Sequence, residues 1–244
     1  MKIMPAGDEA LVIEFGREID EGINSMVQEM SEKIEKSRIK GVRETLPTYR
    51  SLMIFYDGQL TGFRKLSREI KKIKLSKKNS VLINKTIIEI PCCYEERFAP
   101  DMKDIEEISG LNTKEIIDLH TGKDYRIYML GFLPGFVYLG GLDEKIAAPR
   151  LKTPRTRIPA GAVGIGGKQT GIYPVDSPGG WRLIGSTPLE LYNAEREEPV
   201  LLKAGDYLRF TSISMKEYEL IRTDVKNGSY RLNYITNGAG VHTA

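Results

Sequence analysis

The sequence changes character at Tyr125, and this change constrains the fold more than any other feature. Before Tyr125, apolar residues recur at spacings of three and four between short strand-like runs; after it, the helical periodicity disappears. The later segments are short, rich in β-branched and aromatic residues, and separated by Gly, Pro and Asp: YRIYMLGF, AGAVGIGG, GIYPV, GWRLIGS, LELYN and DYLRFTSI. Such spacing predicts a β-barrel or a β-sandwich.

The first third of the chain alternates between strand and helix patterns. Residues 10–15 and 52–56 read as strands, and Asp20 should cap a helix whose apolar residues are Ile23, Met26, Val27, Met30 and Ile34. The basic run 64–78 predicts a second helix, and 81–83 a further strand. This order predicts a small α+β sandwich with ferredoxin-like topology. We therefore expect an α+β protein with domains at 1–84 and 85–244.

Composition and charge exclude several classes of protein. Lys plus Arg exceed Asp plus Glu by 36 to 33 over 244 residues, and the net charge of +3 is too small to indicate nucleic acid or an anionic membrane as a partner. Apolar runs stay shorter than the 18 or so residues that a membrane span needs. The two cysteines, Cys92 and Cys93, are adjacent, so no disulfide framework is expected. The sequence predicts a cytoplasmic protein.

Two local patterns resemble nucleotide and DNA motifs but lack their chemistry. In GAVGIGGKQTG, Gly161 is one residue too far from Gly167 for a phosphate loop, Gln169 replaces the hydroxyl residue, and Pro174 prevents the following helix. We predict a strand pair with a glycine-eased bend. The helix pair within 104–120 carries Glu115 and Asp118 on its second helix, which does not suit DNA recognition.

Metal and nucleophile chemistry is not indicated. The two histidines, His120 and His242, have no array of cysteines or carboxylates beside them at metal-ligand spacing. His120 ends a predicted helix, where a protonated imidazole would cap the carbonyl end; a polar site residue is the alternative. Cys92 and Cys93 are expected to be small buried residues.

The segment 129–185 is the best candidate for a site. Arg150, Arg155 and Arg157 lie between prolines that limit loop freedom, and aromatic residues could supply apolar walls: Phe132, Phe136, Tyr138, Tyr173 and Trp181. This pattern indicates a small-molecule pocket or partner groove, or else barrel packing with surface arginines. Trp181, after Pro178-Gly179-Gly180, either packs under a hairpin or forms a pocket wall with Arg182 at its rim.

Three segments carry a family resemblance: GFLPGFVYLGGL, PRLKTPRTRIPAGAVGIGGKQTGIYP and SPGGWRLIGSTP. They resemble the hallmark segments of the family that contains the B subunit of bacterial 5-oxoprolinase, the sporulation kinase inhibitor KipI and allophanate hydrolase subunit 1. GDEALVIEFG, LPTYRSLMIFYD and KAGDYLRFTSI extend the resemblance from about Gly7 to Ile213.

The resemblance implies a small N-terminal α+β domain, ferredoxin-like as above, followed by a cyclophilin-like β-barrel. It implies a subunit of an ATP-dependent lactam hydrolase that opens 5-oxo-L-proline to L-glutamate, inactive alone, with C-type and A-type partner subunits from the same operon. Because the chain lacks a recognisable ATP loop and metal cluster, ATP is expected to bind to a partner or across an interface. The alternatives are inhibition of a sensor histidine kinase and another amide or carboxyl-transfer role.

Ten residues fall on the family's motif positions. The catalytic candidates are His120, Arg150, Arg155 and Gln169, and the candidates for binding substrate or partner are Phe132, Pro134, Phe136, Tyr173, Trp181 and Arg182. The arginines would bind carboxylate or phosphate, Gln169 would orient the lactam carbonyl, and His120 would move a proton. Prolyl isomerase activity does not follow from a cyclophilin-like shape.

Overall fold

The computed structural model describes residues 1–76, 86–236 and 239–243. Backbone contacts divide the chain into two compact units, Met1–Ile83 and Asn84–Ala244. The strand expected at 81–83 lies outside the described residues. Among the described helices, none is both long enough and apolar enough to cross a membrane.

The first unit is a four-stranded antiparallel sheet with two helices. Its elements are β1 (Lys2–Pro5), β2 (Ala10–Glu14), α1 (Glu21–Ser37), β3 (Val42–Pro47), β4 (Ser51–Tyr56) and α2 (Phe63–Ile70), and the strand order is β1-β2-β4-β3. β4 is inserted between β2 and β3, which α1 connects, and this arrangement is a split β-α-β unit. The edge beside β2 is filled by β1, and the complete ferredoxin-like description is not confirmed.

Periodicity explains the core of the first unit. Asp20 caps α1 by accepting a hydrogen bond from the backbone N–H of Ile23, as the sequence predicts. Residues spaced by three and four on α1, including Val27, Met30 and Ile34, pack against alternate residues of β2 and β4. The basic helix is shorter than expected, because it ends at Ile70 and the following Ile73 and Leu75 pack against this core from outside the helix.

The second unit contains the remaining described elements. They are β5 (Thr86–Cys92), α3 (Met102–Ser109), α4 (Thr113–Thr121), β6 (Tyr125–Leu130), β7 (Val137–Gly140), a 3-10 turn (Glu144–Ile146), β8 (Arg155–Ile158), β9 (Ala162–Gly166), β10 (Gln169–Ile172), β11 (Ser177–Gly179), β12 (Arg182–Ser186), β13 (Tyr207–Ser212), α5 (Met215–Lys226), β14 (Asn233–Thr236) and β15 (Ala239–Thr243). A nine-stranded sheet has the order β12-β9-β10-β7-β6-β13-β5-β14-β15, and β11 pairs with β8 separately. β13 runs parallel to β5, and the other neighbouring strands are antiparallel.

The large sheet curls until distant strands meet. Cys93, directly after β5, exchanges two backbone hydrogen bonds of 2.8 and 2.9 Å with Ser186 at the end of β12. Since β12 is at one edge of the sheet and β5 is the seventh strand in its order, this bridge requires strong curvature. The bridge is a single residue pair, and the described strands do not form a closed barrel. The α+β class is confirmed; the cyclophilin-like barrel is not.

A helix near the C-terminal end corrects the prediction that no helix follows Tyr125. α5 begins with a capping box in which the Ser214 hydroxyl accepts from the Glu217 N–H and the Glu217 carboxylate accepts from the Ser214 N–H. Tyr218 is its only buried residue, which leaves little apolar periodicity to detect. In the sequence, the Ser-x-x-Glu spacing of this capping box was the signal that could have indicated the start of α5.

Candidate functional site

The predicted aromatic residues of the second unit meet in one cluster. The Phe136 ring centroid lies 4.9 Å from that of Tyr138, 5.1 Å from that of Tyr173 and 5.6 Å from that of Trp181. The contacts of Phe136 with Tyr173 and Trp181, at 83° and 84°, are edge-to-face, a favourable arrangement for aromatic quadrupoles. We call these four residues the aromatic cluster.

Glycines make room for Trp181 in this cluster. A Cβ at Gly166 would lie 2.5 Å from Cε2 of the indole, one at Gly171 2.9 Å from Cζ3, and one at Gly164 3.2 Å from Cβ of Trp181. The indole therefore lies directly on the backbone of β9 and β10 and is only 4% exposed. The glycine-rich segment is a strand pair, as predicted, with Gly167 at φ +67° in its bend. Its glycines, which we call the glycine platform (Gly164, Gly166 and Gly171), accommodate an indole.

Arg150 lies over the ring of Trp181. Its guanidinium carbon is 5.7 Å from the Trp181 ring centroid, within the range of a cation–π interaction. Burial raises the pKa of the Tyr138 hydroxyl, and the charge of Arg150 opposes this rise. In the described part of the chain, Arg150 forms no ion pair with a carboxylate. Its side chain is exposed, so its charge is available to an anion.

The other predicted arginines are bound to carboxylates. Arg155 donates to Asp101 at 2.6 Å, and the other oxygen of Asp101 accepts from the backbone N–H of Leu183, also at 2.6 Å. Arg157 forms an exposed ion pair with Asp176. Arg155 is therefore partly neutralised by a buried carboxylate that sequence reasoning missed.

Arg182 does not form an open rim. Its side chain is only 15% exposed, pairs with Asp104 and donates from Nε to the backbone oxygen of Pro149 at 3.0 Å. The expected rim position is wrong because α3 supplies a carboxylate that holds the guanidinium against the loop before β8.

The structure also corrects the predicted role of His120 as a protonated helix cap. It is completely buried, with Nδ1 2.7 Å from the Tyr94 hydroxyl and Nε2 2.9 Å from the Thr170 hydroxyl. Burial lowers the pKa of His120 to about 3, so the imidazole is neutral at neutral pH and the expected protonated helix cap is wrong. Because successive side chains of a strand point to opposite faces, Thr170 and its bound histidine lie across β10 from Gly171 and Trp181.

The remaining predicted residues lie near the aromatic cluster. Gln169 is half-buried, pairs with Gly166 across the hairpin, and shares the strand face of Gly171. Phe132 is 67% exposed, and its φ of 71° is unusual for a residue with a side chain. Its ring centroid is 5.9 Å from that of Phe136, and Pro134 is also exposed. Phe132 forms an exposed apolar edge of the cluster, and the exposed Pro134 lies between Phe132 and Phe136 in the chain.

Neither cysteine is arranged as a nucleophile or a metal ligand. Cys92 and Cys93 are buried and unpaired as a disulfide, and burial raises the pKa of both thiols. Among the described residues, no group of three His, Cys, Asp or Glu side chains could hold a metal ion.

A separate cavity of about 1030 Å³ lies between α5 and the loop after β12. Its walls include Tyr218, Arg222, Leu189 and Arg196, and none of the ten predicted site residues lines it. Sequence reasoning missed this cavity together with α5. The aromatic cluster remains the candidate site, because it brings predicted residues together beside an exposed cation.

Comparison with known proteins identifies the family. A sequence model described as "Carboxyltransferase domain, subdomain C and D" matches residues 1–202. Over 233 residues the chain is 41% identical to the B subunit of the 5-oxoprolinase of Bacillus subtilis (strain 168), an alignment that covers 91% of this chain and 97% of that relative. The chain belongs to the 5-oxoprolinase B-subunit family. Its predicted membership of that family is confirmed.

Solved structures extend the comparison for this 5-oxoprolinase family member. The structure of TTHA0988 is 32% identical with a TM-score of 0.76, and the match covers 85% of this chain but 40% of that one. The urea carboxylase of Kluyveromyces lactis is 21% identical with a TM-score of 0.78 over 99% of this chain and 24% of that enzyme. At that identity the likeness to urea carboxylase concerns the fold alone. In both, the matched part is less than half of a longer chain.

Proposed function

We propose that this chain is the B subunit of a multi-protein, ATP-dependent 5-oxoprolinase that opens 5-oxo-L-proline to L-glutamate. The observation that carries the proposal is the 41% identity to the B subunit of a bacterial 5-oxoprolinase along 97% of that relative. The chain acts as part of a lactam hydrolase, has no activity alone, and pairs with C-type and A-type subunits. No feature of the described residues favours the alternative of histidine kinase inhibition.

We also propose that the two units have the ferredoxin-like and cyclophilin-like folds of the family. The split β-α-β unit supports a ferredoxin-like domain at 1–84, and the curled sheet with its Cys93–Ser186 bridge supports a cyclophilin-like barrel at 85–244. Cytoplasmic localisation stays a prediction from cysteine usage.

ATP does not fit the glycine-rich segment that could suggest a phosphate loop. Gly164, Gly166 and Gly171 face the indole, and the segment continues into β10 rather than into a helix whose N-terminus could meet a phosphate. We therefore assign the nucleotide to a partner subunit or to a site shared with one, and no step of the chemistry is assigned to it on this chain.

Arg150 is the residue that this geometry favours for binding the substrate carboxylate. 5-Oxoproline is a small ring with one carboxylate, and Arg150 presents an exposed guanidinium beside aromatic side chains. A charge-assisted hydrogen bond to guanidinium is roughly twice as strong as a neutral one. The aromatic cluster would exclude water from one side of the lactam ring, and Gln169 on the same strand face as Gly171 would orient its carbonyl.

The other site residues support this arrangement. Arg155, bound to Asp101, connects β8 to α3 and β12 and keeps a second guanidinium nitrogen buried near the cluster. Tyr173 and Phe136 hold Trp181 in place, and Arg182 fixes the start of β12 through Asp104. Phe132 and Pro134 would contact a partner subunit.

The function is tested by measuring glutamate release. The operon proteins are co-expressed with and without this chain, and ATP-dependent glutamate release from 5-oxoproline is measured. We expect release only when the chain is included, and no release by the chain alone. A folded, complete complex that produces no glutamate would contradict the assignment.

The role of Arg150 is tested in the assembled complex with Arg150→Gln and, as a matched control, Lys152→Gln two residues away. Loss of a carboxylate contact should raise the KM for 5-oxoproline about tenfold or more, equivalent to about 1.4 kcal/mol of binding. The control should change KM less than about twofold. If Arg150→Gln leaves KM unchanged but weakens assembly, the residue binds the partner and the substrate role is wrong.

A further inference from the structure

A continuous chain of hydrogen bonds runs through the core of the second unit beneath the candidate site. The Tyr94 hydroxyl is 2.7 Å from Nδ1 of His120, Nε2 of His120 is 2.9 Å from Oγ1 of Thr170, and Oγ1 of Thr170 is 3.1 Å from the carbonyl oxygen of Gly164. Tyr94, His120 and Thr170 are all buried. The hydrogen bonds therefore connect the region after β5 to α4, β10 and β9 through the interior of the unit.

The backbone carbonyl of Gly164, at the end of this chain of hydrogen bonds, determines which group donates in each of them. The Gly164 carbonyl can only accept, so the Thr170 hydroxyl donates to it and must accept from His120. Nε2 of His120 then carries the hydrogen. A neutral imidazole has one N–H, so Nδ1 accepts from the Tyr94 hydroxyl. The arrangement is complete for a neutral histidine, and both ring nitrogens are occupied.

The packing around the ring fixes it further. His120 stacks on Phe210 with centroids 4.4 Å apart, and the Tyr125 hydroxyl donates to the backbone oxygen of His120 at 2.8 Å. The titratable groups in contact with the ring are the phenols of Tyr94 and Tyr125, and the Cys92 thiol is hydrogen-bonded to Tyr94. A proton carrier needs a hydrogen-bonded partner that can pass the proton to substrate, but Nε2 of His120 contacts Thr170, whose hydroxyl donates to the backbone carbonyl of Gly164. Among the described contacts the ring therefore has no route for a proton to substrate.

The far end of the hydrogen-bond chain lies under the tryptophan. Gly164 and Gly171 are cross-strand partners of the β9–β10 hairpin, and both belong to the glycine platform. Thr170 precedes Gly171 and binds the Gly164 carbonyl, so its hydroxyl joins the two strands where the indole rests on them. A displaced strand here would displace Trp181 and, with it, the surface below Arg150.

We propose that His120 is a positioning residue: as a neutral Nε2–H imidazole it holds Thr170, and through Thr170 the register of β9 and β10 that supports Trp181 and Arg150. It does not transfer a proton to substrate. The link from Trp181 to substrate binding rests on the proposed function, whereas the link from His120 to Trp181 does not.

The test uses the sole tryptophan of the sequence as its reporter. His120→Gln keeps an acceptor for Tyr94 and a donor for Thr170, whereas His120→Leu has neither. Thr170→Ser keeps the hydroxyl and Thr170→Val removes it. We expect red-shifted emission and increased acrylamide quenching of Trp181 in the Leu and Val variants, and emission close to that of the unmodified protein in the Gln and Ser variants.

Kinetics of the assembled complex add a second readout. The Leu and Val variants should raise the KM for 5-oxoproline about tenfold with a smaller change in kcat, and the Gln and Ser variants should restore it. The pH–rate profile should keep both of its limbs in His120→Gln. If His120→Leu does not fold, Thr170→Val and Thr170→Ser carry the comparison.

Two results would overturn the inference. One is an inactive His120→Gln variant with unchanged Trp181 fluorescence and a missing limb in the pH–rate profile, which would make His120 an acid or base. The other is a folded His120→Leu or Thr170→Val variant whose Trp181 fluorescence is unchanged. A complex that releases no glutamate would defeat the proposed function, while the fluorescence comparison would still decide the role of His120.

Discussion

At the scale of residues, the glycines under Trp181 determine where the indole can lie. The local pattern predicts a bend in this segment, and Gly167 supplies it with its positive φ. The reason for Gly164, Gly166 and Gly171 is different, since a side chain at any of them would approach Trp181. That reason depends on a residue at least ten positions further along the chain and cannot be read from the local pattern.

Gly166→Ala should therefore destabilise the second unit. Its Cβ would lie 2.5 Å from the indole, and overpacking of a core costs about 1–3 kcal/mol in the free energy of unfolding. Gly180→Ala is the control, because its Cβ would meet nothing closer than 3.7 Å and its φ is not positive. Denaturant unfolding followed by Trp181 fluorescence checks the prediction. Equal stability of the two variants would show that the glycine platform and Trp181 can shift apart without a measurable loss of stability.

The buried neutral state of His120 should appear in the pH dependence of stability. The folded pKa of about 3 lies below the unfolded value of about 6.5, so the stabilising effect is complete above pH 6.5 and is lost as the pH falls toward 3. In that window the unfolded state binds one more proton, and the free energy of unfolding falls by up to about 1.4 kcal/mol per pH unit.

The measurement compares urea unfolding of the unmodified protein and His120→Gln between about pH 7.5 and pH 5, a range in which few carboxylates titrate. The unmodified protein should lose more stability than the variant as the pH falls. Parallel curves would mean that His120 does not bury a neutral imidazole in the folded state.

Residue-scale prediction from sequence succeeded where the determinant is local. The N-cap at Asp20 depends on Ile23, only three positions away. The state of His120 depends on Tyr94, 26 positions away, and on Thr170, 50 positions away. Similarly, Arg155 and Arg182 looked free in sequence because Asp101 and Asp104 are distant along the chain.

At the scale of elements, Asp101 joins three of them. It precedes α3, accepts from Leu183 in β12 and pairs with Arg155 in β8. No local sequence pattern indicates this junction, because the partners of Asp101 lie 54 and 82 positions further along the chain. From the sequence, the pair of helices α3 and α4 could be compared only with a DNA-binding motif. α5 was missed for a related reason, since a helix with one buried residue has almost no apolar stripe.

Asp101→Ala should cost the second unit about 3 kcal/mol of unfolding free energy, because it leaves the Leu183 N–H and the Arg155 guanidinium without their buried acceptor. Glu144→Ala removes one partner of the exposed Lys168–Glu144 pair and should have no measurable effect. Thermal and denaturant unfolding of both variants provide the measurement. A similar, small effect for both would mean that water replaces the Asp101 contacts.

At the scale of the whole molecule, the sequence was sufficient for the α+β class and the family, and insufficient for the curvature of the large sheet. Strand-forming segments are local in their signals, but the bridge between Cys93 and Ser186 joins residues far apart in the chain. The periodicity of a strand says which face is buried and not which strand it pairs with.

Phe132 should matter to assembly more than to stability. It is highly exposed and held at a positive φ that glycine adopts freely, so Phe132→Gly should leave the free energy of unfolding within about 1 kcal/mol. If the exposed edge of the cluster binds a partner subunit, the variant should lower affinity for the co-expressed operon proteins about tenfold or more.

Leu220→Ser is the matched control for Phe132→Gly, since Leu220 is another exposed apolar residue of the same unit but lies on α5. Co-purification and titration calorimetry measure both variants. Undiminished binding by Phe132→Gly, or equal loss in both variants, would exclude a specific partner contact at Phe132.

The parallel pairing of β5 with β13 also determines when the second unit can fold during synthesis. β5 is its first described strand, yet Cys92 pairs with Ser212, 120 positions later, and the neighbouring β14 is later still. An apolar strand that emerges early from the ribosome must therefore wait for nearly the entire unit before its neighbours exist. Folding of the second unit should therefore be slow, as high contact order implies, and should be completed only after nearly all of the unit has been synthesised, with β5 accessible to chaperones in the interval.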